Sequence, residues 1–98
     1  MAAIDKRKAV QAALAYTQQR RFDKAIAEYK NALSVDPQDL AICKKLGDLY
    51  AQTGAIQEAI TTYMKLGDLF RADGLAVKAI AMCLLAVNAV TTASDLAA

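Results

Sequence analysis

The sequence repeats itself at an offset of 34 residues, and this repeat constrains the fold more than any other feature. Aromatic residues coincide with aromatic residues, and small residues coincide with small ones. The coinciding pairs are Tyr16 with Tyr50, Ala25 with Ala59, Tyr29 with Tyr63, and Ala13 with Gly47. A period of this length is typical of proteins that stack copies of one small helical unit. An ordinary helical bundle, which is the alternative, does not require such a repeat.

The composition favours helices as the content of each unit. Hydrophobic residues make up 56% of the 98 residues, alanine is abundant, and the chain has only 4 Gly and 1 Pro. Alanine loses no side-chain entropy in a helix, and no stretch alternates apolar and polar residues as a half-buried strand does. We therefore predict an all-α fold, with enough chain for one domain and a modest core.

At these positions the sequence resembles the tetratricopeptide repeat family, whose unit is a helix hairpin of the same length. In the first unit the characteristic small, aromatic and proline positions hold Ala13, Ala25, Ala32, Tyr16, Tyr29 and Pro37. In the second unit they hold Gly47, Ala59, Tyr50 and Tyr63, with Leu66 where a small residue is usual. The tryptophan that often opens the first helix is replaced by Ala9 and Cys43. The resemblance implies antiparallel hairpins, stacked as a short right-handed solenoid that binds another protein.

The small residues have a physical role in such a hairpin. Two helices approach closely only where small side chains face each other. In the first hairpin we expect Ala13 to meet Ala25. In the second we expect Gly47 to meet Ala59. The aromatic residue at the end of the first helix should then fill the wedge between one hairpin and the next.

A second repeat has an offset of only 20 residues, with segment 45–50 recurring as segment 65–70. The helix near 56–72 therefore closes the second hairpin and also opens a third. We predict about five helices, at 3–19, 22–34, 39–52, 56–72 and 75–91. The repeat domain spans 1–91, with units at 6–39, 40–73 and an overlapping 60–91, and residues 92–98 form a tail.

Local residues predict where the helices begin and end. Pro37 cannot continue a helix, and Asp39 is placed to cap the next one. Gly54 and Gly74 lie where left-handed residues end helices. The first turn, at residues 20–22, has no glycine and is the least defined.

No catalytic constellation is present in the sequence. The chain has no histidine and no phosphate-binding glycine loop, so we predict a protein that is not an enzyme and needs neither cofactor nor metal. The only paired carboxylates, Asp36 and Asp39, flank a proline turn and suit capping. Cys43 and Cys83 are predicted to be two buried thiols in a reducing compartment.

The resemblance implies that the first helix of each hairpin lines a concave groove. The corresponding residues are Arg7, Val10, Gln11, Leu14, Gln18, Lys44, Lys45, Asp48, Gln52, Lys65, Asp68 and Arg71. This groove is mixed but cationic in balance, and it suits an extended peptide or helix of acidic character. The alternative is a solvated face with an ion pair from Lys44 to Asp48. Val10 and Leu14 replace the lysine and asparagine with which chaperone-tail binders of this family grip a terminal carboxylate, so we expect no such clamp.

The last helix is apolar on every side, whereas a terminal helix in a repeat array normally has a polar outer face. We predict self-association or packing through Ile80, Leu84, Leu85 and Val87. The partner surface is a second copy, a neighbouring domain, or a hairpin swapped between chains. The alternative is loose packing that exposes an alanine-rich surface.

Other function classes are less well supported. A net charge of +2 is small for a nucleic-acid binder, although basic residues cluster in the first helix. A pure homo-oligomerisation domain, a helical-repeat nucleic-acid binder and the regulatory domain of an enzyme remain as alternatives. The longest apolar segment, 79–87, is far shorter than the ~20 residues of a membrane span. No secretory signal is evident, so we expect a cytoplasmic protein.

Overall fold

The computed structural model describes the backbone of residues 5–97 and the side chains of residues 5–89 and of Thr91. Within this range the chain forms five α-helices and no strand. They are α1 (Lys6–Gln18), α2 (Phe22–Val35), α3 (Leu40–Gln52), α4 (Ile56–Ala72) and α5 (Ala76–Ala97). Each helix packs on the next one along the chain. The predicted all-α helical-repeat fold is confirmed, and no helix of the described residues is long and apolar enough to cross a membrane.

Carboxylates cap two of the helices. Asp5 accepts hydrogen bonds from the backbone amides of Arg7 and Lys8, at 3.0 and 3.3 Å. Asp39 accepts one from the amide of Ile42, at 3.0 Å, which confirms the predicted cap of α3. These bonds satisfy first-turn amides that have no partner within the helix.

Three turns share one backbone conformation, in which a single residue adopts a positive φ. These residues are Arg20 (61°), Gly54 (84°) and Gly74 (78°). The residue that follows each one donates its amide to the carbonyl of an aromatic residue in the preceding helix. The pairs are Arg21 to Tyr16 at 2.8 Å, Ala55 to Tyr50 at 2.9 Å, and Leu75 to Phe70 at 2.8 Å. The predicted left-handed glycines are confirmed, and Arg20 adopts the same conformation at a steric cost of about 1 kcal/mol.

Small residues lie at the centres of the hairpins, as the repeat predicts. Ala13, Ala25 and Ala59 have no exposed surface. The neighbour of Gly47 differs from the prediction, because the three atoms nearest to the position of its missing Cβ all belong to the ring of Tyr63, the closest at 2.8 Å. Tyr63, and not the predicted Ala59, is therefore the side chain that requires a glycine here.

The third hairpin has its own close approach. A Cβ atom on Gly67 of α4 would lie 3.4 Å from the backbone carbonyl oxygen of Ala79 on α5. The helix α4 thus packs on α3 with one part of its surface and on α5 with another. This double role is what the offset of 20 residues predicts.

Two boundaries differ from the sequence prediction. The helix α5 continues to Ala97, through most of the predicted tail, because residues 92–97 contain neither glycine nor proline to end it. The predicted start of α1 near residue 3 falls outside the described residues.

The two cysteines differ from each other. Cys43 is buried as predicted, and burial raises the pKa of its thiol. The prediction for Cys83 was wrong, because its side chain is exposed. Cys83 occupies the repeat position of Tyr29 and Tyr63, which are 2% and 3% exposed. Within the described residues, no helix follows α5 to cover that position.

Candidate functional site

A hollow of about 500 Å³ lies between the amino-terminal halves of α1 and α3. We name it the α1–α3 cleft, and it is lined by Lys6, Arg7, Val10, Gln11, Asp39, Ala41, Ile42 and Lys45. The structure therefore brings four of the predicted groove residues to one place: Arg7, Val10, Gln11 and Lys45.

One end of the cleft is fixed by a lysine that contacts two carboxylates. The Nζ atom of Lys6 lies 2.6 Å from Oδ2 of Asp39 and 3.0 Å from Oδ2 of Asp36. The other carboxylate oxygen of Asp39 accepts the amide hydrogen of Ile42. The side chain of Lys6 thus ties the start of α1 to the turn that precedes α3.

The ionisation of this cluster follows from its hydrogen bonds. The hydrogen bond from Lys6 lowers the pKa of the Asp39 carboxyl below its ordinary value of 3.8. The same bond, together with the one to Asp36, raises the pKa of Lys6 above 10.5. Lys6 is therefore a cation at neutral pH whose charge is largely balanced within the protein.

The other two cations of the cleft have no such balance. Arg7 and Lys45 are exposed and form no ion pair within the described residues. Beside them, Val10 is half-buried and Ile42 is buried, so the hollow has apolar side chains next to positive charge. Such a surface can bind an apolar side chain that is followed or preceded by a carboxylate.

Two predicted groove residues of α3 have contacts within the protein instead. The Nζ atom of Lys44 lies 2.7 Å from Oδ2 of Asp48, which is the i,i+4 pair of the alternative interpretation. The hydroxyl of Tyr63 donates a hydrogen bond to the other oxygen of Asp48. Burial, and after it this hydrogen bond, raises the pKa of Tyr63. Neither Lys44 nor Asp48 lines the α1–α3 cleft.

The remaining predicted groove residues do not join the cleft either. Leu14, Gln18, Gln52 and Lys65 are exposed and do not line it. Asp68 accepts a hydrogen bond from Arg71 at 3.1 Å, and both side chains are exposed. Arg71 lies at a different hollow, on the far side of α4.

This second hollow, of about 340 Å³, lies against α5 and is named the α5 hollow. It is lined by Arg71, Ala76, Ala79, Ile80, Cys83, Leu84 and Val87. Three of the predicted self-association residues, Ile80, Leu84 and Val87, are therefore exposed together. The fourth is placed differently, because Leu85 is half-buried and packs against the core.

The sequence analysis missed several residues of the α1–α3 cleft. Lys6 was interpreted as a solvated helix end, and Asp36 and Asp39 as capping residues alone. The repeat register contains the missing information, because Lys6 and Leu40 start equivalent helices and equivalent helix starts lie side by side in a stack. Ala41 and Ile42 also line the cleft, next to the position of Cys43. No cluster of metal-ligating side chains exists among the described residues.

A comparison with family models extends these observations. The tetratricopeptide repeat model matches residues 16–83, well over half of the chain. No curated protein matches the sequence significantly. Tetratricopeptide repeats generally mediate protein–protein interactions, and their domains are typically scaffolds without catalytic activity. The matched segment runs from the aromatic residue that ends α1 to the cysteine of the α5 hollow, and it includes both repeat offsets. The chain belongs to the tetratricopeptide repeat family.

Proposed function

We propose that the chain is a protein-binding module whose α1–α3 cleft takes up a partner segment with an apolar side chain next to a carboxylate. The observation that supports this proposal is the position of Arg7 and Lys45 beside Val10 and Ile42. The apolar side chain would contact Val10 and Ile42, and the carboxylate would pair with a cation that has no partner within the protein.

The proposal is narrower than a groove along the whole stack. Lys44 and Asp48 neutralise each other, and so do Asp68 and Arg71. These ion pairs leave most of the uncompensated positive charge near the start of α1 and α3. The same interruptions argue against a nucleic-acid binder, which requires a continuous cationic surface.

The test uses short fluorescent peptides in which a leucine is flanked by glutamates, with glutamine and lysine versions for comparison. Fluorescence anisotropy should show that the glutamate peptides bind the full chain most tightly. Lys45→Glu should weaken this binding about tenfold or more, because it replaces an attraction with a repulsion. Circular dichroism should show unchanged helicity, since Lys45 is exposed.

Lys8→Glu is the matched control, because Lys8 is also exposed but does not line the cleft. It changes the net charge by the same amount, and we expect it to leave affinity nearly unchanged. Equal losses in Lys45→Glu and Lys8→Glu would reduce the effect to overall charge. Unaltered affinity in Lys45→Glu would reject the cleft as the binding site.

A further inference from the structure

We propose that two copies of this chain form a symmetric dimer in which their α5 helices pack antiparallel. The interface is the α5 stripe, defined as Val77, Ile80, Leu84 and Val87. This proposal does not depend on the α1–α3 cleft, which lies between other helices.

The stripe is apolar and exposed along its whole length. The exposed fractions are 81% for Val77, 61% for Ile80, 58% for Leu84 and 59% for Val87. Spacings of three, four and three residues place these side chains on one face of the helix, as in the seam of a coiled coil. The opposite face, which includes Met82, Ala86 and Ala89, is buried against the rest of the protein. The helix therefore already packs with one side and leaves an apolar seam on the other.

The spacing within the stripe reads the same in both directions, with its midpoint at Met82. A two-fold axis at this level would bring Ile80 opposite Leu84 of the partner subunit. It would also bring Val77 opposite Val87 of the partner subunit. Every residue of the stripe would then face another apolar residue, as a self-complementary interface requires.

The charges around the stripe do not oppose this packing. Between Ala76 and Thr91 the sequence contains one charged residue, Lys78. Its ammonium group lies over the ring of Phe70 on the same protomer's α4, 5.7 Å from the ring centroid. Two α5 helices can therefore approach without bringing like charges together.

A head-to-tail stack of copies is less well supported than this symmetric pair. In the repeat register, the buried Ile42, Leu46 and Leu49 of α3 correspond to Lys8, Ala12 and Ala15 of α1. The residues with which α3 packs on the preceding hairpin are thus replaced in α1 by a lysine and two alanines. The helix α1 of a second copy lacks the large apolar residues needed to fill the α5 hollow. A symmetric pair of α5 helices closes at two copies instead.

The size of the stripe predicts the strength of the dimer. Four large side chains and their small neighbours cover less than the ~800 Å² that each partner contributes to a standard interface. We therefore expect a dissociation constant in the micromolar range and a dimer that forms and separates readily.

Sedimentation velocity of the full chain over a concentration series measures this equilibrium. The unaltered chain should pass from monomer to dimer as its concentration rises through the micromolar range. Leu84→Glu should weaken dimerisation about thirtyfold or more, because it places two carboxylates in the apolar seam. Met64→Glu is the matched control, since Met64 is an apolar residue of α4 that is 57% exposed and does not line the α5 hollow. It should leave dimerisation unchanged.

A mixing experiment tests the antiparallel arrangement. Ile80→Lys and Leu84→Glu should each dimerise poorly alone. When the two variants are mixed, antiparallel packing places the new lysine opposite the new glutamate and keeps one apolar pair intact. The mixed dimer should therefore be about tenfold tighter than either homodimer. Parallel packing would place neither pair together and would give no such gain.

Several outcomes would overturn the proposal. A chain that stays monomeric up to about 1 mM has no such dimer, and the stripe would then belong to a different protein partner. A dimer that Leu84→Glu does not weaken has its interface elsewhere. A mixture with no gain rejects the antiparallel arrangement. If Leu84→Glu loses helicity, Leu84→Ser and Val87→Ser provide the same comparison without introducing a charge.

Discussion

The helices α1 and α5 are the first and last of the same stack, yet their exposed faces differ in chemistry. The helix α1 exposes Arg7, Lys8, Gln11 and Gln18, whereas α5 exposes the four apolar residues of its stripe. In a stack of similar units, each interior helix is covered by its neighbours, and only the two end helices show how the array is terminated. This chain has a polar surface at its first helix and an apolar surface at its last.

The two ends are also held in different ways. The start of α1 is tied to the turn before α3 by the ion pairs of Lys6 with Asp36 and Asp39. The helix α5 is attached by close backbone packing at Gly67 and by the burial of Met82 and Ala86. The comparison therefore predicts that changes in volume, in turn geometry and in pH will affect the two ends unequally.

The largest expected effect comes from overpacking equivalent positions in the second and third hairpins. Ala59 has no exposed surface, whereas Ala79 is half-buried and lines the α5 hollow. Ala59→Leu should lower the free energy of unfolding by about 1–3 kcal/mol, because the closed hairpin cannot accommodate the added carbons. Ala79→Leu should cost less than about 1 kcal/mol, since the new side chain can extend into the hollow. Urea denaturation of the monomer measures both, and equal losses would show that the third hairpin is as closed as the second.

An intermediate effect is expected at the turns that follow α1 and α4. Gly74 has a positive φ and no atom near its missing Cβ, so Gly74→Ala should cost about 1 kcal/mol through backbone strain alone. Arg20→Gly should instead stabilise the protein by about 0.5 kcal/mol, because relief of the strain is partly offset by the flexibility of glycine in the unfolded chain. It also removes the contact of the guanidinium with Phe22. Thermal unfolding would contradict this account if both variants shifted the melting temperature in the same direction.

The smallest effect is expected from pH, and it should act at the α1 end. The pKa of Asp39 is lowered, so its contribution is present above its ordinary value of 3.8 and is lost as pH falls through the lowered value. The pKa of Lys6 is raised, so its contribution is present below 10.5 and is lost as pH rises through the raised value. The stability difference between the unaltered chain and Lys6→Met should thus be constant from about pH 5 to 9 and should disappear in acid.

Urea denaturation at several pH values measures this difference. Lys65→Met serves as the control, because Lys65 is exposed and forms no ion pair within the described residues. Its difference from the unaltered chain should stay small at every pH. A difference for Lys6→Met that persists unchanged in acid would show that the ion pairs with Asp36 and Asp39 do not contribute to stability.

The repeat offsets made much of the fold predictable, because equivalent residues do the same work in each unit. Tyr16, Tyr50 and Phe70 all accept the hydrogen bond that closes a turn. The two glycine turns and the double role of α4 followed from these offsets alone. Contacts between different units were not predictable in the same way, and the Lys6 cluster is an example, because its members share no period.

The apolar last helix shows a second limit of the sequence. Leu84 is exposed and Leu85 is half-buried, although both are leucines in a helix with almost no polar residues. Without polar residues to mark the outer face, the helical phase cannot be determined from the pattern. The packing of Gly67 against Ala79 fixes that phase in the structure.

The most direct test of the difference between the two ends is hydrogen–deuterium exchange, measured by mass spectrometry on the full chain at low and high protein concentration. We predict that peptides covering residues 76–91 of α5 become more protected as concentration rises, while peptides covering α1 exchange at the same rate throughout. Equal protection of α5 at all concentrations, or a matching gain in α1, would contradict the account.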